Sequence, residues 1–333
     1  MSIVLFFIVF CALAFEFING FHDTANSIAT TVYTKALPIA GAILLAACMN
    51  FLGAFVSEGV AQTISQGLVQ STLDDYVILA ALLGAITWNL FTWWRGIPSS
   101  SSHALIGALI GASMMYLMGI DGIIWSGLLQ KVIIPMITSP IIGFVVAFII
   151  MKLIFKLFAS FNHRKTSRVF SRLQILSAAA VAFAHGTNDA QKTMGIITLA
   201  LFTSGVLADA SHIPIWVKIL CAATMAAGTS AGGWRIMRTM GHGVTKLDSV
   251  RGFAAETASA TVIQIMTAMH APISTTQAIS SAIMGVGSAQ RLSAVKWTKA
   301  KDIALTWVIT LPASIALGAF FVLIIQFILG AVF

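Results

Sequence analysis

The sequence predicts an all-α, polytopic membrane protein made of two inverted-topology repeats, with broken helices and two re-entrant hairpins. Three observations predict it. Of the 333 residues, 58% are hydrophobic and 9% are charged, against about 25% charged in an ordinary soluble domain. Several apolar stretches reach the roughly 20 residues that span a hydrocarbon core. The polar motifs that interrupt these stretches recur in the same order in both halves of the chain. A surface so poor in charge faces lipid, and soluble-domain classes are excluded.

The net charge of +8 invites a nucleic-acid reading, but its distribution opposes it. Lys152, Lys156, Arg164, Lys165, Arg168 and Arg172 crowd one segment without an acid. Arg235, Arg238, Lys246 and Arg251 form a second cluster, and Arg291, Lys296, Lys299 and Lys301 a third. Each lies between apolar stretches, as cytoplasmic loops do, so no nucleic-acid partner is expected. Cys11, Cys48 and Cys221 are odd in number and widely spaced in apolar runs, which fits buried hydrophobes rather than a disulfide framework or metal spacing. No basic residue precedes Lys35. Residues 3–18 therefore read as a retained helix, not a cleaved signal.

In chain order, a first apolar segment covers about 3–34 and is interrupted near 19–26, and a span follows at 38–57. The loop at 58–75 carries Glu58, Asp74 and Asp75 without Lys or Arg. The stretch 76–118 is interrupted at Gly96-Ile-Pro-Ser-Ser-Ser-Ser102, and a span near 123–151 contains Pro135 and Pro140. Residues 1–151 form the first repeat, 152–172 a basic cytoplasmic loop and 173–333 the second repeat. In the second repeat, 173–208 is interrupted near 185–192, a span lies near 213–233, and 253–289 is broken at His270-Ala-Pro-Ile-Ser-Thr-Thr276. A last span covers about 303–332.

Three local matches support the repeat. Gly20-Phe-His-Asp23 pairs with Gly186-Thr-Asn-Asp189, and Pro98-Ser-Ser-Ser-Ser-His-Ala104 with Pro272-Ile-Ser-Thr-Thr-Gln-Ala278. Thr63-Ile-Ser-Gln-Gly67 pairs with Thr239-Met-Gly-His-Gly243. With the basic loops inside, both termini fall outside, and 76–118 and 253–289 must each enter and leave on one side. Each half then crosses an odd number of times. Opposed halves with broken helices are the architecture of many secondary transporters. Arg95 sits awkwardly near a hairpin tip, where it lines an aqueous cavity or marks a shallower tip.

Chemistry concentrates at the interruptions. A charge at mid-bilayer costs roughly 2.5–3.5 kcal/mol on insertion scales, and irregular backbone needs protein or a watery cavity to satisfy it. In Asn19-Gly-Phe-His-Asp-Thr-Ala-Asn26, Gly20 permits unwinding, and freed carbonyls could hold a cation. Asp23 and Asn26 share a helix face, and His22 reads equally as structural or functional. Pro98 disfavours helix before it and starts one well. Ser100, Ser101 and Ser102 then sit at a helix N-terminus, where backbone N–H groups and the dipole bind anions. His103 has no orienting acid, so a Ser/His nucleophile is not indicated and no enzyme is expected. In Ala184-His-Gly-Thr-Asn-Asp-Ala-Gln-Lys192, Asn188 and Asp189 are polar ligands. Lys192 either pairs with Asp189, contacts the anion or changes protonation. Ser274, Thr275, Thr276 and Gln277 mirror the serines. Acceptor carboxylates favour protonated phosphate over sulfate. Glu16 and Glu256 each read as a proton or cation step, or as a buried acid with a partner.

These motifs resemble the PiT family of inorganic phosphate transporters. Residues 19–26 and His185-Gly-Thr-Asn-Asp189 look like its two signatures, and Gly96-Ile-Pro-Ser-Ser-Ser-Ser-His103 and Pro272-Ile-Ser-Thr-Thr-Gln277 look like its hairpin tips. The resemblance covers about residues 10–330. It implies a central phosphate site in a lipid bilayer, symport with a cation, no cofactor, and a homodimer. Asp23, Asn26, residues 100–102, Asn188, Asp189 and residues 274–277 become the expected phosphate site. Asp23, Asp189, Lys192, His22 and Glu256 become the expected coupling residues. Sodium-coupled members carry Ala-Asn after the second Asn-Asp, whereas here Ala-Gln-Lys192 follows. That form resembles bacterial members that use protons, often with phosphate as a neutral complex with a divalent metal. Proton coupling and a bacterial inner membrane are therefore expected. Sodium coupling and sulfate transport remain the alternatives.

Overall fold

The structure, a computed structural model, describes residues 3–70, 73–231, 236–237 and 244–332, without the side chains of residues 24–27, 163, 331 and 332. Among them the chain is helical, and its strand-type pairing is an isolated bridge between Val69 and Ile123. The helices are α1 (Ile3–Tyr33), α2 (Ile39–Gly53), α3 (Gly59–Gln66), α4 (Asp75–Arg95) and α5 (Ser101–Tyr116). Then come α6 (Trp125–Leu157), α7 (His163–Thr203), α8 (Ile215–Ala231), α9 (Ser249–Ala268), α10 (Thr275–Gln290) and α11 (Trp297–Val332). Spans in α1, α4, α6, α7 and α11 are long and apolar enough to cross a membrane.

The expected breaks in α1 and α7 do not occur. Both helices run through their polar motifs. Gly20 and Gly186 serve close helix crossing instead of unwinding. A Cβ on Gly20 would lie 2.5 Å from Met225 O, and one on Gly186 2.2 Å from Asn50 O. Backbone carbonyls in these helices therefore stay in their ladders, and side chains must supply any cation ligands. Real interruptions lie at the two tips. Gly96 ends α4 in the left-handed region at φ 67°, and His270 ends the α9 end at φ 59°. Both close the helix with paired backbone bonds, Ile97 N to Thr92 O at 2.9 Å and Ala271 N to Met266 O at 3.0 Å, as helix-terminating motifs do.

Two loops were expected where the chain is helical. Residues 58–75 contain α3, which is buried against α7 and capped by it, since Gln191 Oε1 accepts Val60 N at 2.9 Å and Ala61 N at 3.2 Å. The basic segment 152–172 is largely the end of α6 and the start of α7, leaving 158–162 as the connection. Apolar residues on these long helices continue the helical period past the bilayer-length estimate. The Thr239–Gly243 match lies outside the described residues, as do Arg235 and Arg238.

Along α1 and α7 the burial is layered. One apolar core takes Leu5, Ile8 and Phe15 with Met194, Ile197 and Leu201. The other takes Ile28 and Ala29 with Val181 and Ala184. Between them both helices carry buried polar groups, Glu16 to Asp23 and His185 to Thr193. Helices α5 and α10 bring their starts into this polar layer. Helix α5 packs on α11, and α10 packs on α6.

Candidate functional site

At each tip a serine caps the second helix of a helical hairpin. Ser100 Oγ accepts His103 N and Ser274 Oγ accepts Gln277 N, both at 3.2 Å. This is what a serine preceding a helix does. The expected anion-binding hydroxyls of Ser100 and Ser274 thus spend an acceptor on the tip itself, although each hydroxyl keeps its proton to donate. The first-turn N–H groups of both helices lack intrahelical acceptors, and both tips are buried and touch each other. Ser102 Oγ donates to Ile273 O at 2.8 Å.

The acids of α1 and α7 close this spot. Thr276 Oγ1 donates to Asp23 Oδ1 at 3.1 Å, and Thr275 Oγ1 lies 3.4 Å from Asp189 Oδ2. His22 links α1 to the first hairpin, with Nδ1 2.8 Å from Asp23 Oδ1 and Nε2 3.2 Å from Thr92 Oγ1. Lys192 Nζ donates to Asp189 Oδ1 at 2.7 Å, to Ile273 O at 3.2 Å and, at short range, to Ser102 Oγ. Its side chain is 1% exposed. Among the described residues, Asp23, His185 and Asp189 each offer a ligand atom within 4.8 Å of the others.

These positions show what sequence reasoning reached and missed. Asp23, His22, Ser101, Ser102, Asp189, Lys192 and residues 274–277 converge in the buried polar layer. The Asn26 side chain lies outside the described residues. Asn188 holds the second tip from behind, with Nδ2 donating to Thr267 Oγ1 at 2.8 Å and Ala271 O at 3.1 Å. Glu256 is in none of these contacts. It accepts Thr30 Oγ1 at 2.5 Å, Thr31 Oγ1 at 2.8 Å, Gln174 Nε2 at 3.1 Å and Ser177 Oγ at 2.5 Å. It ties the far end of α1 to α7 and α9. Glu16 lies toward the other end and accepts Thr193 Oγ1 at 2.5 Å. Asn50, absent from the expected site, lies 3.1 Å from His185 Nδ1. Its signal was a lone amide in an otherwise apolar run, which marks a function or a helix contact in lipid. Arg95 stacks over Phe91 and Trp94 at the end of α4, 5.6 and 5.1 Å from their centroids, and lines a surface cavity with Lys299 and Asp302.

Glu256→Gln would put an amide N–H₂ among groups that donate to this carboxylate. A lost buried acceptor costs about 1–3 kcal/mol. The variant is expected to insert normally and to transport at least about 10-fold more slowly; transport at the parent rate in proteoliposomes would confine Glu256 to packing.

The arrangement can bind an oxyanion and cations. Asp23 and Asp189 against the Lys192 ammonium leave the buried site with one net negative charge, so a doubly charged anion needs accompanying positive charge to enter. Such a site, among helices long and apolar enough to cross a membrane, suits a membrane-embedded carrier of an oxyanion. Residues 19–318 match the phosphate transporter family. The chain is 51% identical to the "Probable low-affinity inorganic phosphate transporter" of Bacillus subtilis (strain 168), over 98% of this chain and 97% of that one. It is 43% identical to a protein of the same description from Mycobacterium tuberculosis (strain ATCC 25618 / H37Rv), over 98% of this chain and 79% of that one. A solved structure described as "The sodium-dependent phosphate transporter" superposes with a TM-score of 0.90 at 25% identity, covering 98% of this chain and all of that one. The chain belongs to the phosphate transporter family and is a transporter, not an enzyme.

Proposed function

We propose that the protein is a secondary symporter of inorganic phosphate in which protons supply the coupling charge, with a divalent metal–phosphate complex as a compatible substrate form. The observation that carries this reading is Lys192. Its ammonium takes oxygen ligands from Asp189, Ser102 and Ile273, the company a dehydrated monovalent cation keeps. A tethered cation there occupies the place where a sodium ion would balance Asp189, and Asp23 is left to accept a mobile charge. A neutral metal–phosphate complex enters without adding charge. Sodium coupling is the second reading, supported by the sodium dependence of the superposable structure and by the grouping of Asp23, His185 and Asp189. Phosphate is preferred to sulfate because the carboxylates can accept a P–OH proton, which sulfate lacks at neutral pH.

An inverted repeat, with halves 1–151 and 173–333, is supported by reciprocal crossings. Helix α1 packs on α8 as α7 packs on α2, and α5 packs on α11 as α10 packs on α6. Glycines stand at all four: Gly20 and Gly228, Gly186 and Gly53, Gly111 and Gly318, Gly285 and Gly143. Re-entrant hairpins are supported by α5 and α10, each 16 residues, or about 24 Å at 1.5 Å per residue. That is short of a 30 Å core, and both start at the buried site. The basic segments support a bacterial inner membrane with both termini outside, and the resemblance implies a homodimer in the lipid bilayer.

The test is phosphate uptake into proteoliposomes under separately imposed proton and sodium gradients, with and without magnesium. A proton gradient is expected to drive accumulation and a sodium gradient is not; sodium-driven uptake by the parent protein would overturn proton coupling. Lys192→Asn is expected to reduce dependence on the proton gradient at least about 10-fold and to create stimulation by sodium. Unchanged ion dependence in that variant would make Lys192 a structural ion pair.

A further inference from the structure

The cationic start of α7 does more than face solvent. Arg164, Arg168 and Arg172 follow one another at every fourth residue, so they form a row on one helix face. Ser167 and Ser171 stand between them, and together these residues line one wall of a cavity of about 590 Å³. Thr34, next to the end of α1, and Ser249, at the start of α9, close it. No carboxylate lines it. Among the described residues no acid lies within ion-pair distance of the three arginines. The acid beside Ser249, Asp248, is engaged by Arg251 at 2.7 Å and by the backbone N–H of the same residue at 2.9 Å. Guanidinium forks present fixed paired donors that match the oxygens of a phosphate group.

The geometry points to this cavity as a second phosphate-binding site, separate from the buried one. Its depth favours free phosphate over a lipid headgroup. Arg168 precedes Asp189 by 21 residues, about 31 Å along α7; with Asp189 at the bilayer centre, as the proposed function has it, that lies beyond the headgroup layer, which ends roughly 20–22 Å out. The site is also in series with the interior. Thr34 Oγ1 donates to Gln174 Oε1 at 2.7 Å, and Gln174 Nε2 reaches Glu256. An anion held by the arginines thus sits beside Thr34 and the hydrogen-bonded cluster that ties α1 to α7 and α9. The two sites differ in selectivity. The cavity has no carboxylate and accepts sulfate as readily as phosphate, whereas the buried site has carboxylates that accept a proton from phosphate.

The experiment is equilibrium binding of labelled inorganic phosphate to the full-length purified protein in nanodiscs at physiological ionic strength. The parent is expected to show two classes of site, one displaced by sulfate and one not. Arg168→Gln/Arg172→Gln is expected to weaken the sulfate-sensitive class at least about 10-fold and leave the other unchanged. Arg168→Lys/Arg172→Lys, which keeps the charge and loses the fork, is expected to weaken it less. Nanodiscs of neutral lipid are compared with nanodiscs containing phosphatidylglycerol. A sulfate-sensitive class that vanishes in the anionic discs assigns the cavity to lipid phosphate and overturns the free-phosphate assignment. A single class in the parent, or two unchanged classes in both double variants, overturns the second site. Loss of the sulfate-insensitive class alone, as in Asp189→Asn, bears on the transport site and leaves this one standing.

Discussion

Asp189→Asn is expected to abolish phosphate uptake, by at least about 100-fold or some 2.7 kcal/mol at 1.36 kcal/mol per decade. Asp189 is the acid that touches both the tethered ammonium and the second hairpin, through Lys192 Nζ at 2.7 Å and Thr275 Oγ1 at 3.4 Å. An amide in its place leaves the buried Lys192 ammonium with neutral acceptors alone. Breaking a buried pair by removing one member typically costs 3–5 kcal/mol. Asp23→Asn is expected to do similar damage by a different route, since it removes the charge that Thr276 Oγ1 and His22 address at 3.1 and 2.8 Å. The measurement is initial-rate uptake into proteoliposomes with the amount of inserted protein determined in the same preparation. Uptake by both variants at the parent rate would take the carboxylates out of the mechanism.

Gly111→Val should prevent accumulation of folded protein rather than slow transport. A Cβ at Gly111 would lie 1.9 Å from Ile315 O, and one at Gly318 would lie 2.0 Å from Ala108 O. Helices α5 and α11 therefore meet backbone to backbone, as small residues allow inside membranes, and carbonyl oxygens cannot move aside as a flexible side chain would. Overpacking of this kind costs about 1–3 kcal/mol in well-packed cores and more where backbone is the obstacle. Because α5 carries Ser101 and Ser102, any helix shift also displaces the site. Gly119→Ala is the control, since its Cβ would meet nothing closer than 3.7 Å. Thermal unfolding in detergent separates them: Gly119→Ala within a degree or two of the parent, Gly111→Val far below it or unrecoverable. A parent-like Gly111→Val would show that α5 and α11 have room to separate.

Much of the site was legible because lipid makes polar residues expensive. Asp23, Asp189 and Lys192 stood out for that reason alone, and the Pro-Ser and Pro-Ile-Ser strings marked helix starts through local backbone chemistry. Ser100 and Ser274 show the limit of that reading. Their position before a helix was visible, but whether each oxygen serves the helix or a ligand depends on tip geometry. Gly20 shows another limit. A glycine beside an acid in an apolar run suits unwinding and close crossing equally, and only the position of Met225 O, on α8, decides between them.

Composition and periodicity by themselves determined that this chain lives in a membrane as a bundle of helices, and that its polar side chains gather at a few interruptions, because burial cost and helix propensity act through the local chain. The tertiary structure alone decided that α1 and α7 stay unbroken, that Glu256 belongs to a separate cluster, and that Lys192 holds both Asp189 and the first hairpin. Those outcomes depend on which helices cross, and a crossing is a contact between residues far apart in sequence that no local pattern encodes.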